Sequence, residues 1–237
     1  MSIPSHFNEF KRRMVRVAVV AVVFCGIALA FYAQIFDVFT VNVERLVGEA
    51  GGIVTVHKIT EGWVVAAKLA IMVGLTASFP YLLWEVSMFF KPGLESGERK
   101  YVYLLVPGAL TSFALGATFA WFVLIPRLVE FLLRLSRDIG EPLITVGPLV
   151  SQMVTFMFWL GTIFEIPILM FLLAKMGLAS STWLRTKRRW MILVAFILGA
   201  VITPTDPISQ VLVAIPVIFL FETGMLLVRF AERGAAR

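Results

Sequence analysis

The residues best placed to do chemistry in this sequence are acidic side chains in apolar surroundings. Glu165 lies in GTIFEIPILMF, Glu222 in FLFETGMLL and Glu85 in LLWEVSMFF. Charged groups inside a bilayer-length apolar run are costly, so such residues face protein or a wet cavity and are functional candidates by default. The plain alternative is a neutral acid hydrogen-bonded to a neighbouring helix. That alternative suits Glu222 and Glu85, which stand near run ends or among moderately polar neighbours. Glu165 has Pro167 two residues on, whose missing N–H frees a backbone carbonyl, and it reads as facing a cavity.

Two polar constellations add further carboxylates. In FFKPGLESGERKYVYLL, residues 89 to 105, Pro92 and Gly93 break an apolar run, and Glu95 and Glu98 stand among Lys91, Arg99 and Lys100. In SHFNEFKRRMVRV, Glu9 and Arg13 are four residues apart. On a helix they can pair, for a few tenths of a kcal/mol. Solvated surface charge is the plain alternative for both.

Enzyme chemistry finds no footing beside these residues. The only histidines, His6 and His57, sit in separate polar segments, and no HExxH, P-loop or GxSxG pattern occurs. No metal site and no cofactor is therefore expected. The single cysteine, Cys25, cannot form an internal disulfide and leaves the redox compartment unread.

The elements that must position these groups are membrane spans. The 237-residue chain is 59% hydrophobic and 15% charged, with mean hydropathy +0.91; soluble domains carry about 25% charged residues. About 20 apolar residues cross a hydrocarbon core of roughly 30 Å. Six candidates meet or approach that length, at about Val15 to Tyr32, Trp63 to Phe90, Tyr101 to Pro126, Leu143 to Ala174, Trp190 to Ile202 and Ile208 to Val228. The expected fold is all-α: a single integral membrane domain over 1–237, with six transmembrane helices, the last two short. The fifth run stands out, because its thirteen residues make a helix only about 20 Å long. Pro204 and Pro207 in TPTDPIS then stop it. Such a pair must thin the membrane or form a shallow hairpin buried in protein. Outside the spans, DVFTVNVERLVGEAGG reads as a short interfacial helix ended by Gly51 and Gly52.

Lysine and arginine placement orients the spans. One set of segments holds fifteen basic residues, including Lys11, Arg12, Arg13, Arg16, the hinge group and Arg185 to Arg189; the other holds five, namely Arg45, Lys58, Arg127, Arg134 and Arg137. Lys68 falls near a span end, where a long side chain snorkels. Both termini are thus expected in the cytoplasm. Much of the net charge of +6 is a topology signal and gives no reason to invoke nucleic acid. The first apolar run exceeds the 7–15 residues usual for a signal-peptide core, so a retained span is expected.

In chain order, SHFNEFKRR, SFPYLLWEVSMFFKPGLESGERK, FEIPILMFLL and FILGAVITPTDPISQVLVAIPVIFLFE resemble the TatC family, the polytopic core of the twin-arginine protein translocase. The resemblance covers nearly the whole chain except the outer loops, and it is most specific in the last block and in the P-x-L-x-x-x-E-R-K hinge. It implies six helices in a concave wall of the cytoplasmic (inner) membrane. It also implies a receptor for folded precursors bearing twin-arginine signal peptides, which nucleates a multi-copy translocon with single-span partners of the TatA and TatB type. Transport is then driven by the proton-motive force without nucleotide.

Position by position, the resemblance makes Glu98 the hinge glutamate that reads the arginine pair, Phe89 an aromatic of the same site and Glu9 the amino-terminal glutamate completing it. Glu165 matches the intramembrane glutamate of the fourth helix, Gln210 a partner-docking polar residue of the sixth, and Asp206 an acidic residue of the last outer turn. Departures exist: the hinge has Gly97 where a histidine is common, and Arg99 and Lys100 follow Glu98 in place of two arginines. Of the Ser-Pro-x-Glu-Pro pattern before the second span only Glu61 survives in KITEGW. A proton-coupled secondary transporter relaying through Glu165 is the competing expectation, though it calls for an inverted repeat that the sequence does not show. A purely structural membrane subunit is a third.

Overall fold

The structure, a computed structural model, describes residues 3–49, 53–55, 61–90, 99–137, 143–203 and 207–235. It is built almost wholly of helices. In order they are α1 (Ile3–Ala30), α2 (Tyr32–Glu49), α3 (Glu61–Phe90), α4 (Arg99–Phe119), a π-helical turn (Ala120–Leu124), α5 (Ile125–Arg137), α6 (Val146–Phe164), α7 (Ile166–Lys175), α8 (Ser181–Thr186), α9 (Arg188–Ile202) and α10 (Pro207–Ala235). Two three-residue strands, β1 (Ile53–Thr55) and β2 (Leu143–Thr145), pair in parallel with Ile53 opposite Leu143.

Among the described residues, five runs are long and apolar enough to cross a membrane: Asn8–Ala30, Gly62–Val86, Val106–Leu135, Val146–Lys175 and Pro207–Glu232. The chain is therefore a multi-pass membrane protein. The fifth expected span is the 15-residue α9, about 22 Å long and too short for a hydrocarbon core of roughly 30 Å. Its end is local chemistry: Thr203 adopts an extended backbone, as a residue before proline prefers, while its N–H and hydroxyl both donate to the Gly199 carbonyl, at 2.9 and 2.8 Å. The shortness expected of both final helices holds for α9 alone, because α10 is 29 residues long and continues through its apolar stretch to the charged end at Arg229 and Glu232.

Prolines explain the other departures from straight spans. The run expected to end at Pro126 continues as α5 to Arg137. Pro126 cannot donate to the carbonyl four residues back, and the chain widens into the π turn there instead of stopping. The run from 143 to 174 is split into α6 and α7 at Glu165, where Glu165 N–H reaches back only three residues to Thr162, at 3.1 Å, and Pro167 stands in the first turn of α7. The interfacial helix expected in residues 37 to 52 is α2, longer than anticipated; Gly51 and Gly52 lie outside the described residues.

The chain divides into two compact units. The first comprises 1–85 and 120–158; its buried centre includes Val43, Val47, Leu69, Leu124, Leu133 and Phe156. The second comprises 86–119 and 159–237, with Met170, Leu184, Phe221, Met225 and Val228 forming a shared core. Within it α4 approaches the end of α6 so closely that a Cβ on Gly116 would lie 2.6 Å from the Leu160 carbonyl oxygen, so glycine is required there. Large apolar side chains such as Val22 and Phe24 on α1 and Ile215 and Phe219 on α10 face outward, as lipid-facing helices do.

Candidate functional site

The amino-terminal constellation of the sequence forms a fixed charge cluster in the first unit. Glu9 and Arg13 lie one turn apart on α1 and pair as expected: Arg13 donates to Glu9 Oε1 from NH2 at 2.7 Å and from Nε at 3.1 Å. The sequence did not disclose the next link. Arg13 NH1 donates to Glu85 Oε2 on α3 at 2.7 Å, Arg16 NH1 lies 3.0 Å from Glu85 Oε1, and the Tyr81 hydroxyl donates to that same oxygen at 2.8 Å. Glu85 is therefore a buried carboxylate held by two guanidinium groups and a phenol, rather than a neutral acid satisfied by a neighbouring helix. Exposure rises outward along the chain of contacts, from 3% for Glu85 through 16% for Arg13 to 34% for Glu9. A signal was present in the sequence: Arg13 and Glu85 stand at the same end of consecutive spans.

The hinge residues divide differently. Phe89, near the end of α3, is half-buried and belongs to the second unit. Glu98 lies outside the described residues, as do Glu95 and Asp206. Glu61 begins α3.

Glu165 occupies the junction of α6 and α7, where it precedes the first turn of α7 without capping it through its side chain. It is 3% exposed, and its Oε1 finds no hydrogen-bond partner among the described residues. Beside it, the Ser112 hydroxyl of α4 donates to the Phe164 carbonyl at 2.7 Å, satisfying a backbone acceptor at the break. A bent, polar junction is thus buried inside a span. Proline supplies the bend, and Gly116 and Ser112 admit α4 to it.

Gln210, in the first turn of α10, turns its amide inward. Its Nε2 donates to the Phe196 carbonyl of α9 at 2.8 Å, next to Gly199, where a Cβ would come within 2.7 Å of the Gln210 carbonyl oxygen. The residue is a tie between the last two helices. Two further links involve α10, one to α9 and one to α8. Arg188 at the start of α9 pairs with Glu222 of α10 beside an apolar cavity of about 200 Å³. Glu232 accepts from the Ser181 N–H at 2.7 Å and from its hydroxyl at 2.6 Å, fixing α8 on α10. Glu222 is thus ion-paired, not the neutral acid expected; opposite charges at matching depth on consecutive helices are the sequence clue.

Comparison with known proteins bears on what these residues serve. Residues 5–216 match the family model described as "Sec-independent protein translocase protein (TatC)". The chain is 31% identical over 225 residues to the Sec-independent protein translocase protein TatC of Carboxydothermus hydrogenoformans, covering 94% of this chain and 91% of that protein. With the protein of the same name from Aquifex aeolicus it is 29% identical, covering 98% and 97%. Among solved structures it superposes on "Crystal Structure of Twin Arginine Translocase Receptor- TatC" with a TM-score of 0.87 and 28% identity, covering 96% of this chain and 99% of the other.

Proposed function

The chain belongs to the TatC family of Sec-independent protein translocases, a transport family rather than an enzyme family, and from that premise we propose that it receives the twin-arginine signal peptides of folded precursor proteins. In this reading Glu98 and Glu9 supply the acceptors, and Phe89 is an aromatic residue that excludes water. Planar guanidinium forks favour bidentate pairing that a lysine ammonium cannot copy. The observation that carries this reading is the Glu9 carboxylate itself, which is partly exposed on α1 and already engages a guanidinium through two of its nitrogens. An exposed ion pair contributes only about 0–1 kcal/mol, short of the 1.4 kcal/mol that a tenfold preference needs, so discrimination requires partial burial at the membrane interface.

The protein acts as one integral membrane domain of the cytoplasmic membrane with both termini in the cytoplasm, and it assembles in several copies with single-span partners of the TatA and TatB type. Transport draws on the proton-motive force. The basic residues, fifteen against five, support this orientation. A cysteine placed at position 96 is expected to react with an impermeant label only from the cytoplasm, and one at position 138 only from outside. Labelling of 96 from outside would overturn the topology. Complementation supplies the functional counterpart: in cells lacking their own TatC, this protein with matching partners exports a folded reporter behind a twin-arginine signal and leaves the twin-lysine version inside.

Glu165 and Gln210 are proposed to serve partner docking, and Asp206 to contribute from the outer turn. Glu165→Gln should keep insertion and most export, because an amide of the same size still hydrogen-bonds at the buried junction. Glu165→Leu should impair partner binding while the fold persists, since it strands the polar backbone of the break against an alkyl group. Full export by both variants, with normal partner recovery on affinity purification, would reduce Glu165 to packing.

A further inference from the structure

The cluster of Glu9, Arg13, Glu85, Arg16 and Tyr81 is more elaborate than a paired surface glutamate requires. Three nitrogens of one guanidinium are committed to two carboxylates: NH1 to Glu85, NH2 and Nε to Glu9. Both oxygens of Glu85 are occupied as well, Oε2 by Arg13 and Oε1 by Tyr81 and Arg16. Glu85 is buried on α3, so it is the fixed end of the chain, while Glu9 on α1 is the outer end.

We infer that Arg13 is a positioning residue for Glu9, pinned in turn by the buried carboxylate of Glu85, so that recognition of a guanidinium at Glu9 depends on a residue one helix away that never touches the peptide. This rests on the reading of Glu9 as an acceptor for the signal peptide. A partly exposed glutamate samples several rotamers, and a ligand that immobilises it must offset that lost freedom. A planar fork anchored on a second carboxylate removes the freedom beforehand, which is preorganisation of a binding group. The opposite role, in which Arg13 blocks Glu9 until cargo displaces it, fits the geometry poorly. Arg13 is engaged on both sides, and its inner partner is buried, so it has no cause to leave when a second guanidinium arrives. A lysine at this position carries the charge but presents one nitrogen and cannot bridge the two carboxylates in a plane.

The test is a double-mutant cycle read by peptide affinity. The full-length protein, in detergent, is titrated with a fluorescent twin-arginine peptide as wild type, Glu85→Gln, Arg13→Lys and Glu9→Ala, and as Glu85→Gln and Arg13→Lys each combined with Glu9→Ala. Glu85→Gln and Arg13→Lys are each expected to weaken binding on the order of five- to tenfold, the range for residues coupled in one hydrogen-bonded network. In the Glu9→Ala background both should change affinity by less than about twofold, because there is no longer a carboxylate to position. Equal losses in both backgrounds would mean that Arg13 and Glu85 only hold the helices together, and would overturn the inference, as would unchanged or tighter binding by the single variants. Should Glu85→Gln fail to fold, Arg13→Lys keeps the cation and decides the matter alone. Unchanged affinity in Glu9→Ala itself would remove the acceptor on which this inference stands, a failure distinct from additivity in the cycle.

Discussion

Replacing Glu85 by leucine is expected to destabilise the protein by about 3 kcal/mol, the lower end of what breaking one side of a buried ion pair costs. The carboxylate is 3% exposed and holds Arg13, Arg16 and Tyr81 together, tying α1 to α3. Its loss leaves the Arg13 guanidinium 16% exposed with Glu9 as its remaining carboxylate among the described contacts. Arg16, half exposed, can turn to solvent, which keeps the cost from reaching the upper end. The same physics predicts a rescue. Apolar replacement of a whole buried pair is often neutral, so Glu85→Leu combined with Arg13→Met should recover most of the loss while remaining defective in peptide binding. Unfolding midpoints in detergent for the two variants check both statements. A loss below about 1 kcal/mol for Glu85→Leu would place the cluster with ordinary surface pairs.

The sequence and the structure part company at places that share a cause. Long apolar runs made α1, α3, α6 and α10 legible, because span length is imposed by the bilayer and not by any particular neighbour. The short α9 was legible for the same reason, from the distance between the basic run and Pro204. Glu9 and Arg13 were legible as a pair because one helical turn fixes their separation. The π turn before Pro126 and the break before Pro167 required knowing whether a proline ends a helix or bends it, and that depends on packing rather than on the residue. The strand pair of Ile53–Thr55 with Leu143–Thr145 joins segments about 90 residues apart, and hydropathy alone places the second inside a span. The ties made by Glu85, Glu222 and Gln210 were not legible for one reason: their partners Arg13, Arg188 and the Phe196 carbonyl lie on other helices. Which faces meet is a tertiary fact, and single-sequence periodicity does not contain it.

The largest expected effect on function belongs to Glu98. Truncating one partner of a desolvated charge pair costs about 2–5 kcal/mol, partly because the other charge stays buried and unpaired. Glu98→Ala should therefore weaken twin-arginine peptide binding at least tenfold, 1.4 kcal/mol being one factor of ten, with expression and insertion unchanged. Glu95→Ala should do little, because nothing in the proposed site uses it. Glu98→Asp should fall between them, since it keeps the charge but withdraws the fork by one methylene. The most direct measurement of the central claim is the affinity of a twin-arginine peptide and of its twin-lysine counterpart for the purified protein, its Glu98→Ala variant and its Glu95→Ala variant. The account predicts a preference for arginine over lysine of at least tenfold in the wild type, retained in Glu95→Ala and lost in Glu98→Ala. Equal affinity of the wild type for the two peptides, or equal weakening by both alanine variants, would contradict it, because the hinge would then act as a diffuse acidic surface with no site for a guanidinium pair.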